Sequence, residues 1–197
     1  MRANELRDLV VSALLLAVAF GIAFSGGLEA FSEPRGLVEA ILIALIGVSL
    51  GFVLHEIAHR LVARRYGFFA EYVMWPAGLL IALAGSLFGF IFAAPGAVMI
   101  HPRMDAGGVA FPTKEKSGII SVAGPVMNIG LAIVFLILDQ IRPALIFSLG
   151  SLVNAWLATF NLIPLGPLDG TKILAWSKGV WALLLVLAIA LLVTRWI

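Results

Sequence analysis

Two histidines four residues apart, with a glutamate directly after the first, form the sharpest chemical signal in the chain: His55-Glu56-Ile57-Ala58-His59. On a helix, residues i and i+4 share one face, so both imidazoles can offer a ring nitrogen to one metal ion at about 2.0–2.1 Å. Glu56 then sits beside that ion without ligating it, close enough to take a proton from an attacking water. The plainer reading is a pair of histidines and a carboxylate wetted at a helix end. Against it, burying a carboxylate near a bilayer centre costs about 2.5–3.5 kcal/mol even on the lenient insertion scale, so an ionisable group there implies function.

Two ligands leave a catalytic zinc site short, because such sites usually carry three protein ligands. His101 is the only other histidine, and it precedes Pro102 in a polar loop; Glu71 is a weaker possibility. Asp169 is the preferred third ligand. It follows 26 uncharged residues and lies in Pro164-Leu165-Gly166-Pro167-Leu168-Asp169-Gly170, where the prolines forbid regular helix and free the backbone to turn a carboxylate inward. Its competing role is to cap a short helix over residues 171–176.

The elements that must position these groups belong to a membrane protein. Of 197 residues, 62% are hydrophobic and 12% charged, far from the roughly 45–50% and about 25% of soluble domains. A single membrane-embedded domain over residues 1–197 is expected, since no polar linker or repeat divides the chain. Spanning the hydrocarbon takes about 20 apolar residues, and six segments qualify: about 9–27, 37–60, 73–100, 117–138, 143–168 and 179–195. The expected fold is all-α and polytopic, with five or six transmembrane segments, one of them re-entrant or a hairpin, and a short β element after the histidine helix. The start, with Glu5 and Asp8 among its charges, reads as a retained first helix and not a signal peptide.

The third segment decides the orientation. If it crosses the membrane, the thirteen Lys and Arg residues divide seven to six. If it dips in and returns, ten lie inside, among them Arg2, Arg60, Arg64, Arg65, Lys172 and Lys178, against Arg35, Arg142 and Arg195 outside. Cytoplasmic loops favour Lys and Arg, so the returning path is preferred; Pro76, Gly78, Gly85, Gly89, Pro95 and Gly96 suit it. His59 and Asp169 then lie on the same, cytoplasmic side. A net charge of +2 with no basic stripe excludes nucleic acid as a partner, and the absence of Cys excludes thiolate ligands. Gly47, Gly51, His55 and His59 recur at intervals of four, a stripe that suits either close helix packing or a groove for a substrate strand.

Taken together, HEIAH in one apolar helix, SVAGPVMN beginning a later one and NLIPLGPLDG after a third resemble the site-2 protease family of intramembrane zinc metalloproteases. The resemblance covers about residues 37–66 and 117–176. It implies one Zn2+ per chain held by His55, His59 and Asp169, Glu56 as general base and acid, and Asn161 binding the substrate backbone or the oxyanion. Asn128 matches a second signature of the family with a more structural role, expected to tie down the broken strand near Asn161. The resemblance further implies an integral, multi-pass protein of the cell membrane whose partners are a transmembrane protein substrate and membrane lipid. No PDZ or CBS domain is expected. Substrate strands are expected to add near residues 67–75. The rival classes are a zinc-binding membrane transporter and a non-catalytic membrane scaffold.

Overall fold

A computed structural model of the chain describes residues 3–92, 94–105 and 108–194; Arg2 and Arg195, both part of the charge count, lie outside the described residues. Among the described residues the elements run α1 (Ala3–Phe24), a 3-10 turn (Gly27–Ser32), α2 (Pro34–Arg65), β1 (Phe69–Met74), α3 (Pro76–Ser86), β2 (Gly96–His101), β3 (Arg103–Asp105), β4 (Gly108–Ala110), α4 (Lys114–Ile141), α5 (Leu145–Asn161), α6 (Asp169–Trp176) and α7 (Lys178–Val193).

α2 carries the histidine motif, and its ends are set by local chemistry. Pro34 occupies the first turn, where its missing N–H costs nothing. At the other end Gly67 adopts φ 78°, its N–H bonding Arg64 O at 2.9 Å while Phe68 N–H bonds Ala63 O at 3.1 Å. That pair of bonds is the Schellman termination, and it turns the chain directly into β1. At 1.5 Å per residue the 32 residues of α2 run roughly 48 Å, well beyond a hydrocarbon core of about 30 Å.

Three helices among the described residues are long and apolar enough to cross a membrane: Asn4–Phe24, Pro34–Arg65 and Lys114–Ile141. α5 and α7 are apolar but shorter, at 17 and 16 residues. Large apolar side chains remain exposed on the bundle's outside, including Leu42, Ile46 and Leu50 on α2 and Leu183, Val186 and Ile189 on α7. In lipid such a surface is solvated, so helix association rests on close packing and buried hydrogen bonds.

The segment at 73–100 is neither one helix nor one span. Its helix α3 has 11 residues, roughly 16 Å, and the chain then turns at Gly89, φ 74°. It comes back as β2, antiparallel to β1 with Met74 opposite Gly96 and Phe69 opposite His101. Trp75 N–H closes the neck on Pro95 O at 2.7 Å. The excursion therefore ends beside its own start, as the returning path requires. The polar loop expected at His101 is the last residue of this strand.

α4 packs on α2, α5 and α6, and α1 packs on α2, α3 and β1. The main core joins Leu16 and Phe20 of α1, Val48 and Phe52 of α2, and Val153, Leu157 and Phe160 of α5. α4 is capped by the Thr113 hydroxyl, which accepts from Lys116 N–H at 3.3 Å, and continues through Pro125.

Candidate metal centre

His55 and His59 lie on one face of α2, both buried, with 4% and 6% of their surface exposed. Asp169 is the first residue of α6 and does not cap it: the helix has no side-chain cap, and its N-cap position is Leu168. The broken stretch after α5 delivers the Asp169 carboxylate to the two rings. Asp169 Oδ2 stands 3.3 Å from His55 Nε2 and 3.0 Å from His59 Nε2, and the two Nε2 atoms are 3.0 Å apart. Among the described residues these three form one cluster able to hold a metal ion, their donor atoms within 4.8 Å of one another. Tetrahedral bonds of about 2.0–2.1 Å place neighbouring ligand atoms roughly 3.3 Å apart, so the triangle has the right size.

Three further observations fit a cation at that point. Both Nδ1 atoms are engaged, His55 with Asn128 Oδ1 and His59 with Ile120 O at 2.7 Å, which leaves both Nε2 lone pairs for a ligand. A Cβ at Gly124 of α4 would approach His59 Nε2 and His55 Cε1 and Nε2 to less than 3.0 Å, so only glycine leaves room for the rings. Glu56 is 7% exposed, and its Oε2 is buried without a hydrogen-bond partner. A bare carboxylate oxygen in an apolar interior is costly unless a cation or a proton meets it.

The cluster opens on a cavity of about 310 Å3. Its walls include Phe52, Trp75, Leu157, Asn161 and Pro167, and along one side the backbone of β2 from Gly96 to Ile100. Tyr72 N–H is held by Glu5 Oε1 at 3.3 Å, outside the β1–β2 ladder. In an antiparallel pair hydrogen-bonded and non-hydrogen-bonded positions alternate, so Tyr72↔Val98 is a non-hydrogen-bonded pair. Val98 accordingly turns its N–H and C=O away from β1, and its backbone lies against Glu56.

No family model and no solved structure matches the chain significantly. Curated proteins do. A provisionally named zinc metalloprotease of Methanocaldococcus jannaschii, MJ0611, is 39% identical over 191 residues, covering 91% of this chain and 88% of that protein. The chain belongs to this zinc metalloprotease family. A second protein of the same archaeon, zinc metalloprotease MJ0392, is 34% identical over 144 residues, 68% of this chain but 33% of its own length. The provisionally named zinc metalloprotease YwhC of Bacillus subtilis is 28% identical over 167 residues, 72% of this chain and 70% of the relative. The His55, His59 and Asp169 cluster fits the zinc site these names imply.

Placed in this metalloprotease, the other expected residues divide. Asn161 ends α5 and lines the cavity, with one amide hydrogen donated to Leu157 O at 2.9 Å. Asn128 does not reach the broken stretch near Asn161; it is fully buried and bonds His55, Gly51 O and Asn154. His101 and Glu71 lie away from the cluster and pair with each other at 3.2 Å. The Gly47–Gly51 stripe receives α5 and not a substrate strand: a Cβ at Gly51 would meet Asn154 Oδ1 at 2.5 Å, and one at Gly47 would meet Gly150 Cα at 3.2 Å. Arg60, grouped by sequence with the flanking cytoplasmic charges, is instead buried, its Nη1 3.2 Å from Glu5 Oε1. Sequence reasoning missed Asn154, although an amide inside the apolar run of α5 was a visible signal.

Proposed function

We propose that the chain is an intramembrane zinc metalloprotease of the site-2 type, hydrolysing peptide bonds of transmembrane protein substrates in regulated intramembrane proteolysis. The observation that carries this reading is a buried His-His-Asp donor set on apolar helices, facing a cavity in which the carboxylate next in sequence has a free oxygen. α1, α2, α4, α5 and α7 make five crossings of the cell membrane, and the α3 excursion enters and returns on the cytoplasmic side. The N-terminus and the metal centre then share that side, in keeping with the excess of Lys and Arg there.

His55, His59 and Asp169 hold the zinc, which when bound supplies Lewis acidity to water and to the scissile carbonyl. Glu56 takes the proton of the attacking water on its free oxygen and hands it to the departing amine. Asn161, with its second amide hydrogen, donates to the oxygen that gains charge as the carbonyl becomes tetrahedral. A helical substrate hides its carbonyls in i to i−4 bonds and must unwind to react. The unwound segment adds to the outer edge of β2, where Val98 offers its C=O while its N–H is directed at the Glu56 carboxylate. That edge lies beside Glu56, whereas β1, the strand expected from sequence to receive substrate, has its inner edge occupied by β2.

A transporter or scaffold has no use for a base poised beside the metal, and the relatives are named as metalloproteases, so neither alternative is favoured. The deciding experiment is cleavage of a transmembrane substrate by purified Glu56→Gln in detergent or vesicles. The expected outcome is zinc content equal to wild type with cleavage reduced about 10^2- to 10^4-fold. Full activity in that variant would overturn the mechanism.

A further inference from the structure

Two buried asparagines on different helices lie behind the metal centre, joined into a chain of hydrogen bonds with one direction. Asn154 of α5 donates both amide hydrogens to backbone carbonyls, Gly150 O at 2.8 Å and Gly47 O at 3.4 Å. Its Oδ1 is therefore left to accept, and it does so from Asn128 Nδ2 at 3.0 Å. Asn128 gives its other amide hydrogen to Gly51 O at 3.1 Å. With both hydrogens committed, Asn128 presents only its oxygen to His55 Nδ1. A carbonyl can accept but never donate, so the backbone anchors at Gly47, Gly51 and Gly150 fix the sense of every bond between them and the ring.

The consequence reaches the metal face. His55 must carry its proton on Nδ1, and its Nε2 is left as a bare lone pair aimed at the donor triangle. Both asparagines show no exposed surface, so water does not compete for the amide groups. Inside an apolar bundle a fully satisfied polar network is rigid, and any partly satisfied arrangement is costly.

We propose that Asn154 and Asn128 act in series as positioning residues that set the tautomer and aim of His55, and through it the affinity of the site for zinc. This rests on the reading that His55, His59 and Asp169 hold the metal. The hydrogen-bond partners of metal-ligating histidines typically tune affinity by about 10- to 100-fold, and here that partner is an amide oriented by a second amide one helix further away.

The test is zinc affinity of full-length protein in detergent, stripped and titrated against a chromophoric chelator, with the melting temperature and the cobalt(II) absorption spectrum recorded for each variant. Asn128→Leu should weaken zinc about 10- to 100-fold and alter the cobalt spectrum. Asn128→Asp, which keeps an oxygen for His55 Nδ1, should recover most of that loss. Asn154→Leu should weaken zinc less, by several-fold, and add nothing to Asn128→Leu in the double variant, because it acts through Asn128. Ser151→Ala, which removes another buried hydrogen bond of α5 to α4, Ser151 Oγ to Ala132 O at 3.0 Å, should leave zinc affinity unchanged. Zinc binding within twofold of wild type in Asn128→Leu, or equal losses in Asn154→Leu and Ser151→Ala, would overturn the proposal. Should Asn128→Leu fail to fold, unchanged affinity in Asn154→Leu overturns it alone. Wild type that binds no zinc would instead overturn the metal reading beneath it.

Discussion

The metal centre has two unlike walls. On the side of α4 and α5, Asn128, Asn154 and the Ile120 carbonyl form closed hydrogen bonds behind the histidines, and Gly124 and Gly51 permit contacts that a single Cβ would block. On the side of β2 the wall is extended backbone, with Val98 turned toward the cavity and Glu56 carrying an unpartnered oxygen. The closed wall holds the rings still. The open wall presents an extended strand edge, the kind of surface to which a peptide strand can add. On the proposed function, the difference teaches that one face of α2 serves to fix a metal while the adjoining space is left for the chain to be cut.

The contrast can be broken from either side. The largest effect is expected at Gly124→Ala on the closed wall, where the added methyl displaces both imidazoles. A 1 Å misplacement of reacting groups costs about 10^2-fold in rate, so cleavage should fall by at least that factor, with zinc retention reduced alongside it. At the junction of the walls, Asn161→Ala should lower kcat by about 10^2-fold, toward the lower range for a lost oxyanion donor, with zinc retained and KM little changed. On the open wall, Val98→Pro removes an N–H that faces away from β1 and toward the Glu56 carboxylate, a position a strand tolerates. It should therefore lower kcat/KM about tenfold, the order of one hydrogen bond of about 1–1.5 kcal/mol, with zinc content and melting temperature unchanged. Equal loss of zinc in Val98→Pro and Gly124→Ala would erase the distinction.

A smaller prediction concerns what carries the open wall. Glu5 of α1 binds both Arg60 Nη1 at 3.2 Å and Tyr72 N–H at 3.3 Å, and Tyr72 donates its hydroxyl to Ser12 Oγ at 2.9 Å. The first helix thus ties the motif helix to β1. Glu5→Ala leaves a buried guanidinium unpaired, a loss of about 3–5 kcal/mol, read as a lower melting temperature with zinc affinity per folded molecule unchanged.

These walls were not equally legible in the sequence. The helix bearing His55 and His59, its arrest before a short strand, and a carboxylate freed by the prolines ahead of Asp169 all follow from local rules of period, cap and ring geometry. The returning excursion was legible through charge, because only that path separates the basic residues unevenly. β2 was hidden, since Gly-Ala-Val-Met-Ile-His reads as more of an apolar span, and a short apolar run does not declare itself strand or helix by period. Its pairing with β1 is the contact that makes it a strand. The amide chain was hidden for a related reason: Asn128 and Asn154 meet the Gly47–Gly51 face only through packing of three helices distant in sequence. Arg60 was misjudged because a basic residue at a helix end looks solvated until Glu5 arrives from another helix.

Elemental analysis of the purified, zinc-reconstituted chain tests the central claim most directly. The account predicts about one zinc per chain in wild type and in Glu56→Gln, and loss of that zinc in His55→Ala and in Asp169→Asn. A metal-free wild type, or full zinc in Asp169→Asn, would contradict it.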